Sequence, residues 1–457
     1  MTTNEIGALE PNARRRLEPF RDCFKKSPVF DYFVYYSLGL LAQFKRKSIE
    51  PIALWIGVAV RTLQLFLSQF AWDHRQIESR LRHMMMNEYG SENAIGVIDA
   101  SAHAKQGDKT PGIQRQWCGE SGKVDNCVVG QHLIYTNNDS KNPFSACVAS
   151  DLYLPECWIN DPDRREEAHI PEDAVFRTKW EIAADQVEAC IADGVRFSWI
   201  TCDEEYTSVP EFIYRMDRSG QRVIGEVRAN FRCWTKKPAC RSFQGPHASK
   251  RVDNVCRFSP AFYNQGWSRI HIKDTTRGEC VWDVKLARVH LVTKDARGRS
   301  CPTDRQYWLI VARNPETGEI KYFVSNASEN TPIEEMLRVA FARWHVEKWF
   351  ERAKQECGFG SFEVRIYQSL IRHWLCSRIG MYILATETTR LREKNPVITF
   401  EQVSRTLGQI LQRSLESDPV FVQLLATINK YHQHRNRTSY ESRRRRAKTR
   451  GTPTGFP

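Results

Sequence analysis

The apolar pattern of the chain changes period near residue 94, and that change limits the fold more than any other feature. Residues 20–88 carry long helical apolar runs, "YFVYYSLGLLAQF" and "IALWIGVAVRTLQLFLSQFAW", separated by basic turns such as Lys45-Arg46-Lys47. They predict an all-helical module. "AIGVIDA", from Ala94, is a short continuous apolar run of the kind a strand buried on both faces shows, and Asp99 stands at its end. "NCVVGQHLIYTN" and "FSACVASDLYLP" follow with β-rich composition, and the turn residues Asn137, Asn138, Asp139 and Ser140 lie between them. "KWEIAADQVEACIADG" reads as a helix closed by Gly194, and "FSWITCD" as a second buried strand ending in Asp203. With a helix near "PEFIYRM" and a strand "RVIGEVRA", the order is β-β-β-α-β-α-β, a three-layer α/β pattern.

Beyond this core the text between Asn230 and Asn326 is wholly β-like and reads as an inserted β-rich subdomain. Helices resume at Pro332, run through "RWHVEKWFERAKQECGFGSFEVR" from Arg343, and recur in "SLIRHWLCSRIGMYILATETTRLRE". A Thr399/Gln402 capping box and an Asp418-Pro419 start announce two more. The first 18 residues are polar and are expected to be loose; the end, "RRRRAKTR" from Arg443, is a basic tail. The expected organisation is a helical region over 1–90, a core in two parts over 91–229 and 326–392, the β insertion over 230–325, and C-terminal helices with the tail over 393–457.

A length of 457 residues with 13 Trp is enough for a sizeable buried core. Lys and Arg exceed Asp and Glu by 67 to 54, a net charge of +13, which is the footprint of a polyanion partner. The 14 cysteines contain no C-x-x-C pair, which argues against a disulfide framework and points to a reducing cytoplasm. Cys233, Cys240 and His247 form a loose cluster without a fourth ligand at zinc spacing. The apolar run from Pro51 to Val60 is stopped by Arg61, short of the ~20 residues that a membrane span needs.

Asp99 and Asp203 each stand at the carboxyl end of a strand, where open α/β sheets place their ligands. On neighbouring strands, about 4.8 Å apart, their carboxylates can share hard cations. Taken singly, an Asp at a strand end is more often a turn or cap residue. A third carboxylate can come from the stretch at Arg343, where Arg343, Glu347, Glu351 and Lys354 fall within one stripe of a helix. The stripe reads either as a solvated charge ladder or as a carboxylate held among cations that grip phosphate. Spacing leaves open whether Glu204 or Glu205 replaces Asp203, and whether Glu351 replaces Glu347.

These stretches together resemble a bacterial insertion-sequence transposase of the DDE class. Arg343-x3-Glu347-x6-Lys354 is similar to the Arg, Glu and Lys of that group's Tyr-Arg-Glu-Lys signature. "GVIDASAHAKQG" and "GIQRQWCGESGKVDNC" resemble its first-acid segment and the one after it, "CDEEY" the second-acid strand, and "GFGSFEVRIYQSLIRHW" the segment after the third acid. The likeness runs from about Tyr32 to Leu391. It implies a ribonuclease-H-like core with a β insertion, and Asp99, Asp203 and Glu347 as catalytic, metal-holding acids for two Mg²⁺ ions that Mn²⁺ can replace. Arg343 and Lys354, with Lys105, Arg115 and Lys123 of the quoted segments, are then expected to contact DNA. By its own residues "RANFRCWTKK", with Arg228, Arg232, Lys236 and Lys237 around Phe231 and Trp234, reads either as a hold for the DNA end or as an exposed strand edge.

The implied reaction is cleavage at terminal inverted repeats and strand transfer to target double-stranded DNA by a homodimer, in the cytoplasm at the nucleoid, with the helical residues 1–90 reading the repeat. Two departures stand out: Ala340 occupies the place of the signature Tyr, which leaves stacking to Phe341 or Trp344, and Ala100 follows the first acid where relatives often carry Gly or another acid. A tyrosine recombinase would need a Tyr nucleophile in place of acids. A DNA-binding regulator derived from a transposase would lack the triad, and a nuclease without strand transfer would share it.

Overall fold

The computed structural model describes residues 1–139, 143–239, 243–275 and 278–413, with Thr438 and Glu441. Ser140, Cys240, the Asp418-Pro419 helix start and the Arg443–Arg446 run lie outside the described residues.

Six strands make the core: β1 (Ile95–Ala104), β2 (Gln114–Cys118), β3 (Lys123–Thr136), β4 (Ser145–Leu152), β5 (Trp199–Cys202) and β6 (Val223–Val227). β3 lies antiparallel to β1, β2 and β4, while β5 runs parallel to β1 and β6 parallel to β5. The order matches the expected β-β-β-α-β-α-β, with β2 added as a hairpin strand that the apolar pattern does not mark. It is the mixed α/β arrangement of a ribonuclease-H-like core. All four residues of β5 are buried, as its continuous apolar run requires. The helix before it, Lys179–Ala192, is opened by a Thr178/Glu181 capping box, and the chain leaves it through Gly194 at φ 92°. Its Ala183, Ala184, Val187 and Cys190 are buried.

The insertion adds β7 (Arg232–Trp234), β8 (Lys250–Arg251), β9 (Ser268–Thr275), β10 (Gly278–Lys294), β11 (Ser300–Pro302), β12 (Tyr307–Arg313) and β13 (Ile320–Ser325). β13 returns antiparallel to β6, pairing Tyr322 with Val227 and Ser325 with Ile224, so the insertion prolongs the core sheet. It is not wholly β, since the helices Val252–Phe258 and Pro260–Tyr263 interrupt it.

Two N-terminal expectations are corrected. The first residues are not loose: Thr3–Leu17 is a helix with a Thr2/Glu5 capping box, and it buries Leu9, Ala13 and Leu17. Its apolar positions at i, i+4 and i+8 give it a face to pack. The apolar run from Pro51 is not one helix but two, Ile49–Trp55 and Val60–Ser68, because Gly57 turns the chain at φ 76°. Val60–Ser68 packs on the long helix Tyr367–Arg392, where the Arg372 guanidinium donates to the carbonyls of Phe66 and Leu67 at 3.2 and 3.1 Å and lies over the Trp72 ring. Among the described residues no helix is long and apolar enough to cross a membrane.

Candidate active site

β1 and β5 pair in register from Ile95 with Trp199 to Val97 with Thr201. Two residues further on, Asp99 and Asp203 come level beyond the last β1–β5 pair. Asp203 follows β5 directly, but Asp99 is not at a strand end as expected, because β1 runs on to Ala104 against β3 and pairs Asp99 with His132. Asp203 caps the short helix Glu204–Thr207; its carboxylate accepts from the Glu205 N–H at 2.9 Å and its carbonyl from the Thr207 hydroxyl at 3.0 Å. The capping role does not exclude a site role, since the cap fixes the carboxylate beside Asp99. Asp99 accepts from the Ala100 N–H at 2.8 Å, and its side chain is 18% exposed. The Gln131 amide donates to the Asp99 carbonyl at 3.2 Å and meets the Tyr206 hydroxyl at 2.7 Å. Gln131 and Tyr206, which the sequence reading missed, hold the first acid from below. Their only sequence signal is position: Gln131 faces Ala100 across the β1–β3 ladder, and Tyr206 follows Asp203 by three.

The third acid comes from the helix Trp344–Cys357, which buries Val346, Trp349, Phe350, Ala353 and Cys357. Arg343, in the turn before it, donates to Asp99 Oδ2 and to Glu347 Oε1, each at 3.2 Å. Lys354 donates to the Ala102 carbonyl of β1 at 3.3 Å, whereas Glu351 pairs with Lys348 at 2.9 Å. The ladder on this stripe is therefore not formed beyond its Arg343–Glu347 rung. Glu205 pairs with Lys179 at 2.6 Å and Glu204 with Arg228 at 3.5 Å, so both alternatives to Asp203 have other partners.

Burial and the neighbouring Asp203 push the Asp99 carboxyl up to about 7, against the opposing pull of Arg343. Burial also raises Asp203, opposed by the Glu205 N–H, while Glu205 and Glu204 add to the rise and Arg343 again opposes it. The pair is short of positive charge, and carboxylate oxygens are the donors that hard cations take. Among the described residues no three acids, His or Cys already converge as a metal cage. Glu347 is 64% exposed and reaches Asp99 only through Arg343. The donor set fits divalent cations, and the guanidinium lies between Asp99 and Glu347, so convergence on a cation requires it to shift.

The other candidate contacts divide. Lys105 is not a free cation: its ammonium donates to the carbonyls of Gly360 and Phe362, both at 2.8 Å, and lies over the Phe362 ring. Burial lowers it to about 8. Arg115 is exposed on β2, and Lys123, also exposed, stands 3.7 Å from Asp125. Arg232 bonds the Ser249 hydroxyl at 2.9 Å, and Lys236 is exposed at a cleft with Trp234, His247 and Lys250. Phe231 and Trp234, which those cations were expected to surround, are buried, each 6% exposed. Phe341 packs on Trp282 and Phe323, which leaves Trp344, 46% exposed, as the accessible ring next to the third acid.

Residues 19–261 match the family described as DDE superfamily endonuclease, and the chain belongs to that family. The match contains Asp99 and Asp203 and ends before Glu347. The probable transposase for insertion sequence element IS701 of Microchaete diplosiphon is 25% identical over 213 residues, which are 46% of this chain and 52% of that protein. The chain thus spans about half the length of this curated relative.

Proposed function

We propose that the chain is the transposase of an insertion sequence, binding terminal inverted repeats and carrying out metal-dependent cleavage and strand transfer with Asp99, Asp203 and Glu347. The observation that supports this reading is the Arg343 bridge from Asp99 to Glu347, level with Asp203 across the parallel β1–β5 pair. Held by these three acids, two Mg²⁺ ions, or Mn²⁺ in their place, would polarise the attacking water or 3′-hydroxyl and steady the leaving oxygen of an in-line displacement.

The chain's own residues supply the frame. β1 and the Asp203 cap orient two carboxylates. Arg343, when drawn off them, carries a bidentate donor to the scissile phosphate. Lys354, anchored on Ala102, places a second cation along the same stripe. In this reading water and a 3′-hydroxyl are the nucleophiles, so both steps are direct displacements without a covalent protein intermediate. The helical residues 1–90 are assigned to repeat recognition and a homodimer to pairing the two ends, acting on DNA in the cytoplasm.

The test is to incubate the protein with Mg²⁺ and double-stranded DNA carrying the element's own ends, then map cleaved and joined products, with a chelated control. Cleavage without joined products makes the protein a nuclease only. Binding without cleavage makes it a regulator.

A further inference from the structure

The parallel ladder does not reach the two aspartates. The pairing of β1 with β5 ends at Val97 with Thr201, two residues before Asp99 and Asp203. Carboxylates that share hard cations must keep their separation to within about 0.5 Å, so a contact other than the ladder has to set it.

Gln131 and Tyr206, both fully buried, make that contact. From β3 the Gln131 Nε2–H group donates to the Asp99 carbonyl at 3.2 Å and to the Tyr206 hydroxyl at 2.7 Å, and the hydroxyl donates back to Gln131 Oε1 at 2.9 Å. Tyr206 belongs to the helix Glu204–Thr207, which Asp203 caps. That helix has no room to slide: a Cβ at Gly225 of β6 would stand 2.5 Å from Thr207 Cγ2, and the Thr207 hydroxyl also donates to the Glu226 carbonyl. Behind the clamp, Gln186 of the helix Lys179–Ala192 donates to the Gln131 carbonyl at 2.8 Å. Packing alone does not require these polar atoms, since replacing both partners by apolar groups of the same shape costs little. Their bonds end on the backbone of one acid and on the helix that the other acid caps.

We propose that Gln131 and Tyr206 are positioning residues whose amide–hydroxyl clamp sets the separation of Asp99 and Asp203, and through it the affinity of the site for divalent cations. The inference rests on the metal-dependent reading of the acids. Neither residue touches substrate or cation; both act through the backbone that carries the carboxylates.

The experiment measures Mn²⁺ binding, by electron paramagnetic resonance of the free ion, for the whole protein and for Tyr206→Phe, Gln131→Met, the double variant, Tyr135→Phe and Asp203→Asn. Tyr206→Phe and Gln131→Met should each weaken binding by about ten- to hundredfold, the usual cost of losing an outer-shell partner. The double variant should lose no more than the worse single one, because one clamp is broken in all three. Without metal, amide hydrogen exchange over residues 99–101 and 203–206 should speed up by about tenfold in the same variants. Tyr135→Phe is the structural control: it removes another buried hydroxyl bond of β3, to the Tyr89 carbonyl at 2.9 Å, and should leave both readouts at wild type. Unchanged Mn²⁺ affinity in folded Tyr206→Phe, or an equal loss in Tyr135→Phe, overturns the proposal. Asp203→Asn separates the two readings. If it binds Mn²⁺ as wild type does, the acids are not the metal site and the underlying reading fails; if it loses Mn²⁺ while Tyr206→Phe keeps it, the clamp alone is refuted.

Discussion

The two ends of the helix Trp344–Cys357 are built on opposite terms. At the carboxyl end nothing is adjustable. Gly358 turns left-handed at φ 59°, and a Cβ there would come within 2.5 Å of Lys47 Cβ. The Ser377 hydroxyl donates to the Cys357 carbonyl at 2.6 Å, and His373 Nε2–H donates to the Gly358 carbonyl at 2.9 Å. That bond fixes the tautomer, so His373 Nδ1 accepts from the Tyr36 hydroxyl at 2.8 Å. Residues of the N-terminal helices thereby lock the base of the helix. At the amino end Arg343 makes two 3.2 Å contacts and Glu347 is mostly exposed. The difference teaches that the fold fixes the direction of the helix at one end and leaves an exposed carboxylate and its guanidinium partner at the other, beside the proposed metal site.

The sharpest way to break this comparison is at the acids. Asp99→Ala, Asp203→Ala and Glu347→Ala should each abolish Mg²⁺-dependent cleavage, a loss beyond the roughly 10² to 10³ that one charge contact is worth. Circular dichroism and DNA binding should stay close to wild type. Full cleavage by folded Asp203→Ala would remove it from the site, and loss in Glu351→Ala with retention in Glu347→Ala would move the third acid by one turn.

Next in size, Arg343→Ala and Lys354→Ala should slow single-turnover cleavage or strand transfer by about 10² to 10³ while the melting temperature barely moves. Lys354→Arg should restore only part of the rate, because a planar fork does not replace a compact ammonium. Rates that fall only in step with unfolding would make the amino end as structural as the carboxyl end.

The locked end should answer to acid instead. Burial lowers His373 from 6.5 to about 4, with the Gly358 bond opposing. Below pH 6.5 the unfolded chain binds a proton that the folded chain refuses, so stability is complete above that pH and declines as pH falls toward 4. The decline amounts to about 2 kcal/mol by pH 5. Buried His103 and His132, also pushed down, act in the same direction. Denaturant melts at pH 7 and 5 measure the slope, and His373→Gln should shallow it; an equal slope would mean that the bond does not hold the neutral ring. The smallest effect belongs to Glu351→Ala, which removes only an exposed i,i+3 pair with Lys348 and should cost at most about 0.5 kcal/mol with cleavage unchanged.

Much of this molecule was legible in its residues because strand and helix ends are local properties. The apolar run before Asp203, Gly194 after its helix and the Thr399/Gln402 box all report the chain's own neighbours, and the structure shows them where the pattern implies. The strand that starts in the run before Asp99 continues to Ala104, because pairing with β3 carries it past the apolar residues. The first helix was misjudged because its Leu9, Ala13 and Leu17 face is sparse and its surroundings are polar. β2 escaped for a similar reason, since Gln114–Cys118 alternates half-buried and exposed residues and finds its place only against β3.

Tertiary structure alone decided how each charge is used. Helical spacing puts Arg343, Glu347, Glu351 and Lys354 on one stripe but cannot say what the stripe faces. The partner of Arg343 is Asp99, 244 residues away, and that of Lys354 is a β1 carbonyl, 252 residues away. Likewise only packing sets Lys105 on two loop carbonyls, buries Phe231 and Trp234, and leaves Trp344 accessible. Periodicity fixes an angle around an axis; electrostatic partners depend on distance through space, and that is a property of the assembled fold.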